Sequence, residues 1–214
     1  MIGELVHQGL CYKVTNLEVN TVIFEPHIIE HMKITESPIK GVFEIHPKIW
    51  EDSRGYFFES YRSDILSEYG IEEEWLQENQ SYSRVGTVRG LHFQNSPHGQ
   101  AKLVRVLTGR VLDVAVDLRK GSETFGKSFV KELSAKEANM LLIPKGFAHG
   151  FSVLEDAVFS YKCSNYFNKE SEGGILWNDP ELHIDWGVDI PVLSEKDKNW
   201  PTLKEFKEKS GGGL

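Results

Sequence analysis

The sequence predicts a mainly β protein whose short strands form a sandwich or a barrel. Hydrophobic residues alternate with polar ones at a period of two along most of the chain, which is typical of strands with one buried face. Turn-forming residues, including 19 glycines, separate these runs at short intervals. Helical patterns are few. With 214 residues, the chain has room for one good-sized domain.

The alternation is clearest over residues 102–118, where apolar side chains alternate with polar or small ones. The pair Thr108-Gly109 interrupts this run, and we expect a turn between two strands there. Further strands are predicted at residues 55–60, 88–94, 128–133, 140–143 and 157–167. Short helices are predicted at residues 63–69 and 203–209.

Composition and pattern divide the chain into three segments. Residues 1–31 are predicted to be an N-terminal extension of unknown role, because they contain no motif that indicates chemistry. Residues 32–207 are predicted to form the main domain. The glycine-rich residues 208–214 are predicted to form a flexible tail.

Charge and composition exclude several classes of function. The formal net charge is −8 and the 24 basic residues are scattered, so nucleic acid and anionic membranes are not expected as partners. No apolar run reaches the ~20 residues that span a bilayer. Two cysteines are too few for a disulfide scaffold, and without a secretory signal they indicate a cytoplasmic protein. The G-x-G-x-x-G and P-loop motifs are absent, which argues against a nucleotide-driven α/β enzyme.

Two segments place a histidine in or beside a predicted strand among apolar neighbours. Residues 89–94 contain His92, and residues 144–151 contain His149 in a P-x-G-x-x-H pattern. The second pattern resembles the second motif of the cupin double-stranded β-helix. The first segment occupies the place of the first cupin motif, with Gly109 as its closing glycine. This resemblance implies a cupin-like jelly-roll barrel with a few short helices.

The first of these motifs lacks the metal ligands of a metal-binding cupin, which has H-x-H followed shortly by a glutamate. Here the second position is Gln94, and no glutamate follows until Glu123. One histidine from each motif is a poor ligand set for a divalent transition metal. We therefore expect no metal and no other cofactor, which leaves the histidines free for acid–base chemistry.

The likeness extends over most of the chain. From residue 32 to about residue 206, the sequence resembles the dTDP-4-dehydrorhamnose 3,5-epimerase family, metal-free cupin-type sugar epimerases of dTDP-rhamnose biosynthesis. Nine stretches match in the same order: residues 52–60, 77–81, 88–94, 102–105, 113–120, 143–151, 161–166, 176–180 and 193–197. Ordered matches of this number are far more specific than a single pattern.

The resemblance implies an isomerase that inverts C3 and C5 of dTDP-4-dehydro-6-deoxy-D-glucose to give dTDP-4-dehydro-L-rhamnose. A ketone at C4 acidifies the hydrogens on both carbons, so a base, an acid and a group that stabilises the enolate are needed. By position, His92 is the base and Asp197 bonds its far ring nitrogen. Tyr161 matches the acid on the opposite face, and Lys102 matches the lysine that stabilises the C4 oxyanion.

The family's binding residues are carried over in the same way. Arg54 and Arg89 match the arginines that hold the diphosphate, and Phe57 and Tyr166 match the aromatic pair around the thymine base. The other binding side chains implied are polar or charged: Glu59, Gln77, Asn79, His149, Glu172 and Lys196. In the family, the strand that carries the first arginine belongs to the neighbouring subunit. A homodimer with shared sites is therefore implied, with Arg54, Phe57 and Glu59 acting in trans.

Other interpretations stay open at this point. The same fold and nucleotide would suit an enzyme that epimerises one centre only, or a 3,4-ketoisomerase. A non-catalytic carbohydrate-binding cupin and a metal-dependent cupin oxygenase are more distant alternatives. Without the family, Asp197 would pass as one member of a solvated charge run and Lys102 as a surface residue. One departure from the family is Glu78, where an aspartate is usual.

Overall fold

The structure is a computed structural model, which describes residues 5–7, 10–12, 27–28 and 31–214. Within these residues there are fourteen strands and two α-helices, arranged in three antiparallel sheets. The mainly β class predicted from the sequence is confirmed. Neither helix in the described part of the chain is long and apolar enough to cross a membrane.

Three short strands lie in the segment that was predicted to be an extension: β1 (Leu5–His7), β2 (Leu10–Tyr12) and β3 (His27–Ile28). They form a small sheet in the order β1-β2-β3. The remaining residues up to position 30 lie outside the described residues. The role of residues 1–31 stays a prediction.

The main body begins at residue 32. Its strands are β4 (Met32–Glu36), β5 (Phe43–Pro47), β6 (Trp50–Asp52), β7 (Gly55–Phe57), β8 (Gln77–Ser83), β9 (Val88–Gln94), β10 (Lys102–Asp117), β11 (Ser128–Ser134), β12 (Met140–Ile143), β13 (Phe147–Cys163) and β14 (Glu172–Gly174). Its helices are α1 (Ser63–Glu68), α2 (Leu203–Ser210) and a 3₁₀ turn at Lys169–Ser171. Both predicted helices are confirmed to within one residue at each end.

The long strands β10 and β13 organise the barrel. The main sheet runs β14-β9-β13-β10-β12-β5-β4, with β11 also paired to β10 and β8 also paired to β13. Strand β10 therefore exchanges β12 for β11 half-way along, while β13 exchanges β9 for β8. Because each long strand passes from one face of the molecule to the other, the sheet closes into a jelly roll. This is the cupin-like arrangement predicted from the two histidine motifs.

The predicted turn at Thr108-Gly109 was wrong, because β10 continues through it. Val106 pairs with Phe159 before this point and Val111 pairs with Val153 after it, with register shifts between. Gly109 adopts a φ of +77°, and a Cβ there would lie 2.1 Å from the Asp156 carbonyl oxygen. The glycine thus permits a bulge at which the paired strands bend together.

Other element boundaries differ from the prediction at the ends of strands. The strand predicted at residues 55–60 ends at Phe57, and the one predicted at 157–167 begins ten residues earlier and ends at Cys163. The domain boundary predicted at residue 207 falls inside α2. Beyond α2, the backbone N–H of Leu214 donates to Leu118 at 2.7 Å. Flexibility of residues 208–214 stays a prediction.

Apolar side chains fill the space between the bent sheets and under both helices. The central cluster joins the inner faces of β10, β12 and β13, with Phe159 1% exposed. Leu66 of α1 packs on β4 and β5, and Phe206 of α2 packs on Phe93 of β9 at a ring distance of 5.3 Å. These apolar clusters pack against β9, β10 and β13, the three strands that line the main cavity.

Candidate active site

A cavity of 640 Å³ opens between β9, β10 and β13. Eight of the fourteen predicted site residues line it: Arg89, His92, Lys102, His149, Tyr161, Glu172, Lys196 and Asp197. These positions span more than a hundred residues of sequence. The structure therefore brings together in one place all four side chains predicted to perform the chemistry.

A second cavity of 380 Å³ adjoins the first. It contains Gln77 and Asn79, and it shares His92, Lys102 and Tyr161 with the larger cavity. Gln77 and Asn79 project from the same side of β8, since side chains two residues apart share a face. The Gln77 amide donates to Asn79 at 2.9 Å, so the pair forms a preorganised polar edge.

His92 and Asp197 form a short hydrogen bond in which His92 Nε2 lies 2.6 Å from Asp197 Oδ1. The Asp197 side chain is 4% exposed, whereas that of His92 is 28% exposed. Burial alone raises the pKa of Asp197, but the hydrogen bond and the nearby charge of His92 outweigh it, so the pKa lies below its ordinary value. A carboxylate fixed in this way holds His92 in one tautomer, with a proton on Nε2.

Two close glycine contacts bring the strand of His92 next to the strand of His149. A Cβ at Gly90 would lie 2.5 Å from the Gly150 Cα, and one at Gly150 would lie 2.7 Å from the Arg89 carbonyl oxygen. As a result, His92 and His149 are direct cross-strand partners. The absence of side chains at both glycines therefore sets the distance between the two histidines.

His149 forms a second pair, with its Nε2 2.9 Å from Asp113 Oδ2. Its side chain is 8% exposed, and that of Asp113 is fully buried. Burial lowers the pKa of His149, although the charge of Asp113 acts in the opposite direction. The sequence did not indicate Asp113, because regular alternation places it on a polar face of β10. Its burial follows from the pairing of β10 with β13 and β11, which the alternation of β10 alone does not indicate.

Lys102 and Tyr161 project into the cavity from β10 and β13. Burial lowers the pKa of the Lys102 ammonium group, partly offset by Cys163, Asp113 and Glu172. Burial also raises the pKa of the Tyr161 phenol, with a further contribution from Cys163. The cavity therefore holds a lysine whose proton is bound less tightly than usual, and a tyrosine that stays protonated at neutral pH.

Charged residues at the cavity rim are held by neighbouring side chains. Lys196 Nζ lies 2.6 Å from Glu172 Oε1, so these two predicted binding residues partly neutralise each other. Arg89 Nε donates to Ser83 Oγ at 2.9 Å, which anchors the guanidinium group on β8. Only part of its donor set is used in this way, and the rest can bind an anion.

Four predicted site residues lie outside both cavities. Arg54 and Phe57 are on the exposed β6–β7 hairpin, where Arg54 forms an ion pair with Asp52 and Phe57 is 65% exposed. Glu59 accepts a hydrogen bond from His31 at 2.7 Å. Tyr166 is 62% exposed. A single copy of the chain therefore does not bring these four to the other ten.

Glu78, the departure from the family pattern, faces away from the cavities. Lys162 Nζ donates to its carboxylate at 2.7 Å, and Ser160 Oγ donates at 3.0 Å. The alternation of β8 explains this direction, because Gln77 and Asn79 face inward on either side of it. The longer carboxylate side chain thus leaves the site geometry unchanged.

Potential metal ligands are dispersed. Among residues 31–214 and the short described segments before them, no group of three or more His, Cys, Asp or Glu side chains is arranged to hold a metal ion. Gln94, which occupies the second ligand position of the cupin motif, is 8% exposed and accepts a hydrogen bond from the Asn168 backbone at 2.9 Å.

The chain matches known proteins over most of its length. The family model described as dTDP-4-dehydrorhamnose 3,5-epimerase matches residues 36–205. The dTDP-4-dehydrorhamnose 3,5-epimerase of Shigella flexneri is 47% identical over 170 residues, which cover 78% of this chain and 94% of that protein.

Solved structures agree with the sequence matches. The structure of dTDP-4-dehydrorhamnose 3,5-epimerase from Elizabethkingia anophelis is 51% identical, with a TM-score of 0.79 over 82% of this chain and 98% of that one. A Legionella pneumophila enzyme in complex with dTDP-4-keto-L-rhamnose is 44% identical, with a TM-score of 0.80 over 84% and 96% of the two chains. The chain belongs to the dTDP-4-dehydrorhamnose 3,5-epimerase family.

Proposed function

We propose that this protein epimerises C3 and C5 of dTDP-4-dehydro-6-deoxy-D-glucose to give dTDP-4-dehydro-L-rhamnose. The observation that carries the proposal is the His92–Asp197 pair, open on a cavity that also contains Tyr161 and Lys102. The bound dTDP-4-keto-L-rhamnose of the Legionella relative supports this substrate class. The family match supports the reaction.

In the proposed mechanism, His92 is the base. Its Nε2 is engaged by Asp197, which leaves Nδ1 to remove the proton from C3 or C5. The Asp197 carboxylate then stabilises the imidazolium ion that forms. The electron pair of the broken C–H bond forms a double bond to C4, and the carbonyl π pair moves to the oxygen, which produces an enolate.

Lys102 and Tyr161 complete the cycle. Lys102 donates a hydrogen bond to the C4 oxyanion, and its lowered pKa makes it a stronger donor. Tyr161, protonated because burial raises its pKa, delivers a proton to the opposite face of the carbanion carbon. The tyrosinate is then reprotonated from solvent and His92 releases its proton. Two such rounds invert both carbons without a redox cofactor.

The nucleotide is proposed to extend along the shared edge of the two cavities. Arg89 supplies guanidinium donors to the diphosphate, while Gln77 and Asn79 bind the nucleoside. His149, Glu172 and Lys196 line the sugar–phosphate region. Tyr166 is exposed beside Phe167, which lines the smaller cavity, and is proposed to close over the base when substrate binds.

We further propose a homodimer in which the β6–β7 hairpin completes the partner's site. Three aromatic side chains of this hairpin are exposed in the single chain, Trp50, Tyr56 and Phe57 at 37%, 69% and 65%. Docking the hairpin on a second copy would bury them and bring Arg54 and Glu59 to the nucleotide. The buried free thiol of Cys163 fits a reducing compartment, which supports a cytoplasmic location.

Proton NMR in D₂O tests the reaction. Purified protein with dTDP-4-dehydro-6-deoxy-D-glucose should remove the C3 and C5 proton signals, and a downstream reductase should capture the product as the rhamnose sugar. Exchange at one carbon would indicate a mono-epimerase, and a shifted ketone would indicate a ketoisomerase. Absence of exchange, with dTDP still bound, would indicate a binding protein.

Subunit mixing tests the shared site. R54A and H92A proteins, each inactive, are refolded together in equal amounts. If Arg54 acts in trans, half of the dimers are hybrids with one intact site, so about one quarter of the wild-type activity should return. Sites contained within one subunit would give no recovery.

A further inference from the structure

Trp200 lies immediately behind the His92–Asp197 pair and is not explained by the function proposed above. It belongs to the loop between Asp197 and α2, and it lines neither cavity. Its indole ring lies against Gly174 of β14, the cross-strand partner of His92. A Cβ at Gly174 would lie 2.5 Å from the indole carbons, so the strand carries a glycine where the ring requires the space.

The indole ring contacts His92 of the catalytic pair and lies close to Lys196. It meets the His92 ring edge to face, with the centroids 6.2 Å apart at an angle of 67°. Lys196 Nζ lies over the same ring, 5.9 Å from its centroid. Trp200 thus forms the wall against which the His92 ring is held, since edge-to-face contacts favour one ring orientation.

The indole N–H has no hydrogen bond in the described part of the chain. Trp200 Nε1 is buried, and it shares this lack of a partner with only one other buried side-chain atom there, Asp113 Oδ1. The indole does not meet the geometry of a hydrogen bond, but it is the weakest of the three side chains, after His92 and Ser194, that lower the pKa of the Asp197 carboxyl group. Asp197 is therefore the acceptor that the indole N–H influences. A buried donor without a hydrogen-bond partner destabilises the folded state, so its presence beside the catalytic pair calls for a physical explanation.

We propose that Trp200 is a positioning residue of the His92–Asp197 pair, holding the His92 ring by its edge and offering its buried N–H to the Asp197 carboxylate. The inference rests on the proposed function, because it concerns the same pair. A donor on Asp197 weakens the hold of that carboxylate on the Nε2 proton, so the proton stays on His92 throughout the reaction. The indole therefore sets how readily His92 gains and loses a proton at Nδ1.

The variant W200F separates the two roles, because phenylalanine keeps a ring edge and lacks the N–H. Loss of the donor leaves Asp197 to bind the imidazolium form of His92 more strongly. We expect kcat to fall about tenfold with KM unchanged, and the acidic limb of the kcat/KM profile to move to higher pH. The matched control is W75F, the same change at a half-buried tryptophan packed in the α1 cluster.

A second variant moves the indole without removing it. The backbone of Gly174 is compatible with alanine, since its φ lies outside the positive range, so G174A acts through the 2.5 Å contact with Trp200. We expect G174A to lower kcat and shift the same limb in the same direction as W200F. Because this variant could disturb folding, each protein is first checked for a wild-type circular dichroism spectrum and dTDP affinity.

The outcomes distinguish this inference from the proposed function. If wild-type protein exchanges C3 and C5 protons and W200F shows the limb shift while W75F does not, Trp200 is a positioning residue. If W200F loses only thermal stability and keeps the wild-type pH profile, the role is structural and the inference is overturned. If wild-type protein itself shows no exchange, the proposed function fails first, independently of Trp200.

Discussion

Two histidine–aspartate pairs lie side by side on β9 and β13, and they differ mainly in burial. His92 contacts Asp197 at 2.6 Å with 28% of its side chain exposed to the cavity. His149 contacts Asp113 at 2.9 Å with 8% exposed, and its aspartate is fully enclosed. The same two residue types therefore occur once with a ring well exposed in the cavity and once with a ring that lines the cavity but is almost fully buried.

This difference shows how burial assigns separate roles to similar groups. An open histidine whose Nε2 is held by a carboxylate can exchange a proton through its second nitrogen. An enclosed histidine binds a proton less readily, and burial lowers the pKa of His149 accordingly. We call His149–Asp113 the inner pair and His92–Asp197 the outer pair. We interpret the inner pair as a link between β13 and β10 that supports the cavity wall beside the outer pair.

The largest effect that can test this comparison is expected from H92A. Loss of the base should reduce exchange at both C3 and C5 by about 10²–10⁴-fold, while dTDP affinity stays within about twofold. The measurement is proton exchange by NMR, with dTDP binding by calorimetry. The control is H46A, which removes an exposed histidine of β5 paired with Glu44. Near wild-type exchange by H92A would mean that the inner pair contains the base.

A smaller effect is expected from Y161F. The phenol delivers a proton only after the enolate has formed, so its loss should slow completed epimerisation by about 10²-fold and leave the first proton abstraction faster than product formation. Deuterium wash-in at C3 and C5, compared with product captured by reductase, measures the two steps separately. An equal loss of both rates would make Tyr161 a residue that orients the sugar.

The inner pair should make the free energy of unfolding depend on pH. Burial places the pKa of His149 in the folded protein below its unfolded value of about 6.5, so the unfolded state binds the proton more readily. Stability is therefore full above pH 6.5 and falls as the pH drops below it. The groups that face His149 are Asp113, Lys102 and His92.

Urea unfolding at pH 7.5 and pH 5.5 measures this effect. We expect the free energy of unfolding to be lower at pH 5.5 than at pH 7.5 in the wild type, and the difference to be smaller in H149Q. Carboxyl groups such as Asp117, with a pKa lowered to about 2, titrate far below this window and do not interfere. The same pH slope in H149Q and wild type would show that His149 is not the enclosed group inferred here.

The sequence predicted the strands and the open pair better than the enclosed pair, for physical reasons. Period-two patterns and ordered family motifs are local signals, and they placed β9, β12 and His92 correctly. Whether Thr108-Gly109 turns or bulges depends on pairing with β13, some fifty residues away along the chain. Asp113 was missed because burial on both faces of β10 arises only when the jelly roll closes.

The hairpin residues and Trp200 show two further limits. Arg54 and Phe57 lie away from the cavities in one chain, so their proposed role depends on a second copy that no local pattern describes. Trp200 carries no motif of its own, and its position becomes meaningful only through Gly174 and His92. The family resemblance implied the contact between chains, whereas the contact of Trp200 with Gly174 and His92 depends on distant segments that no local pattern relates.

The smallest change in activity is expected from a substitution on the outer face of β8. It tests the contrast between side chains that face the cavities and side chains that face away from them. Glu78 is partly exposed and bonded to Lys162, whereas Asn79 beside it faces the smaller cavity. E78D, which restores the usual family residue, should leave kcat/KM unchanged and alter stability by less than about 1 kcal/mol, as the loss of an exposed ion pair does.

N79A should instead weaken dTDP binding by about tenfold through lost polar contacts. Calorimetric titration of both variants with dTDP makes the comparison. A loss of affinity in E78D would mean that the register of β8 assigned here, with Gln77 and Asn79 inward, is incorrect.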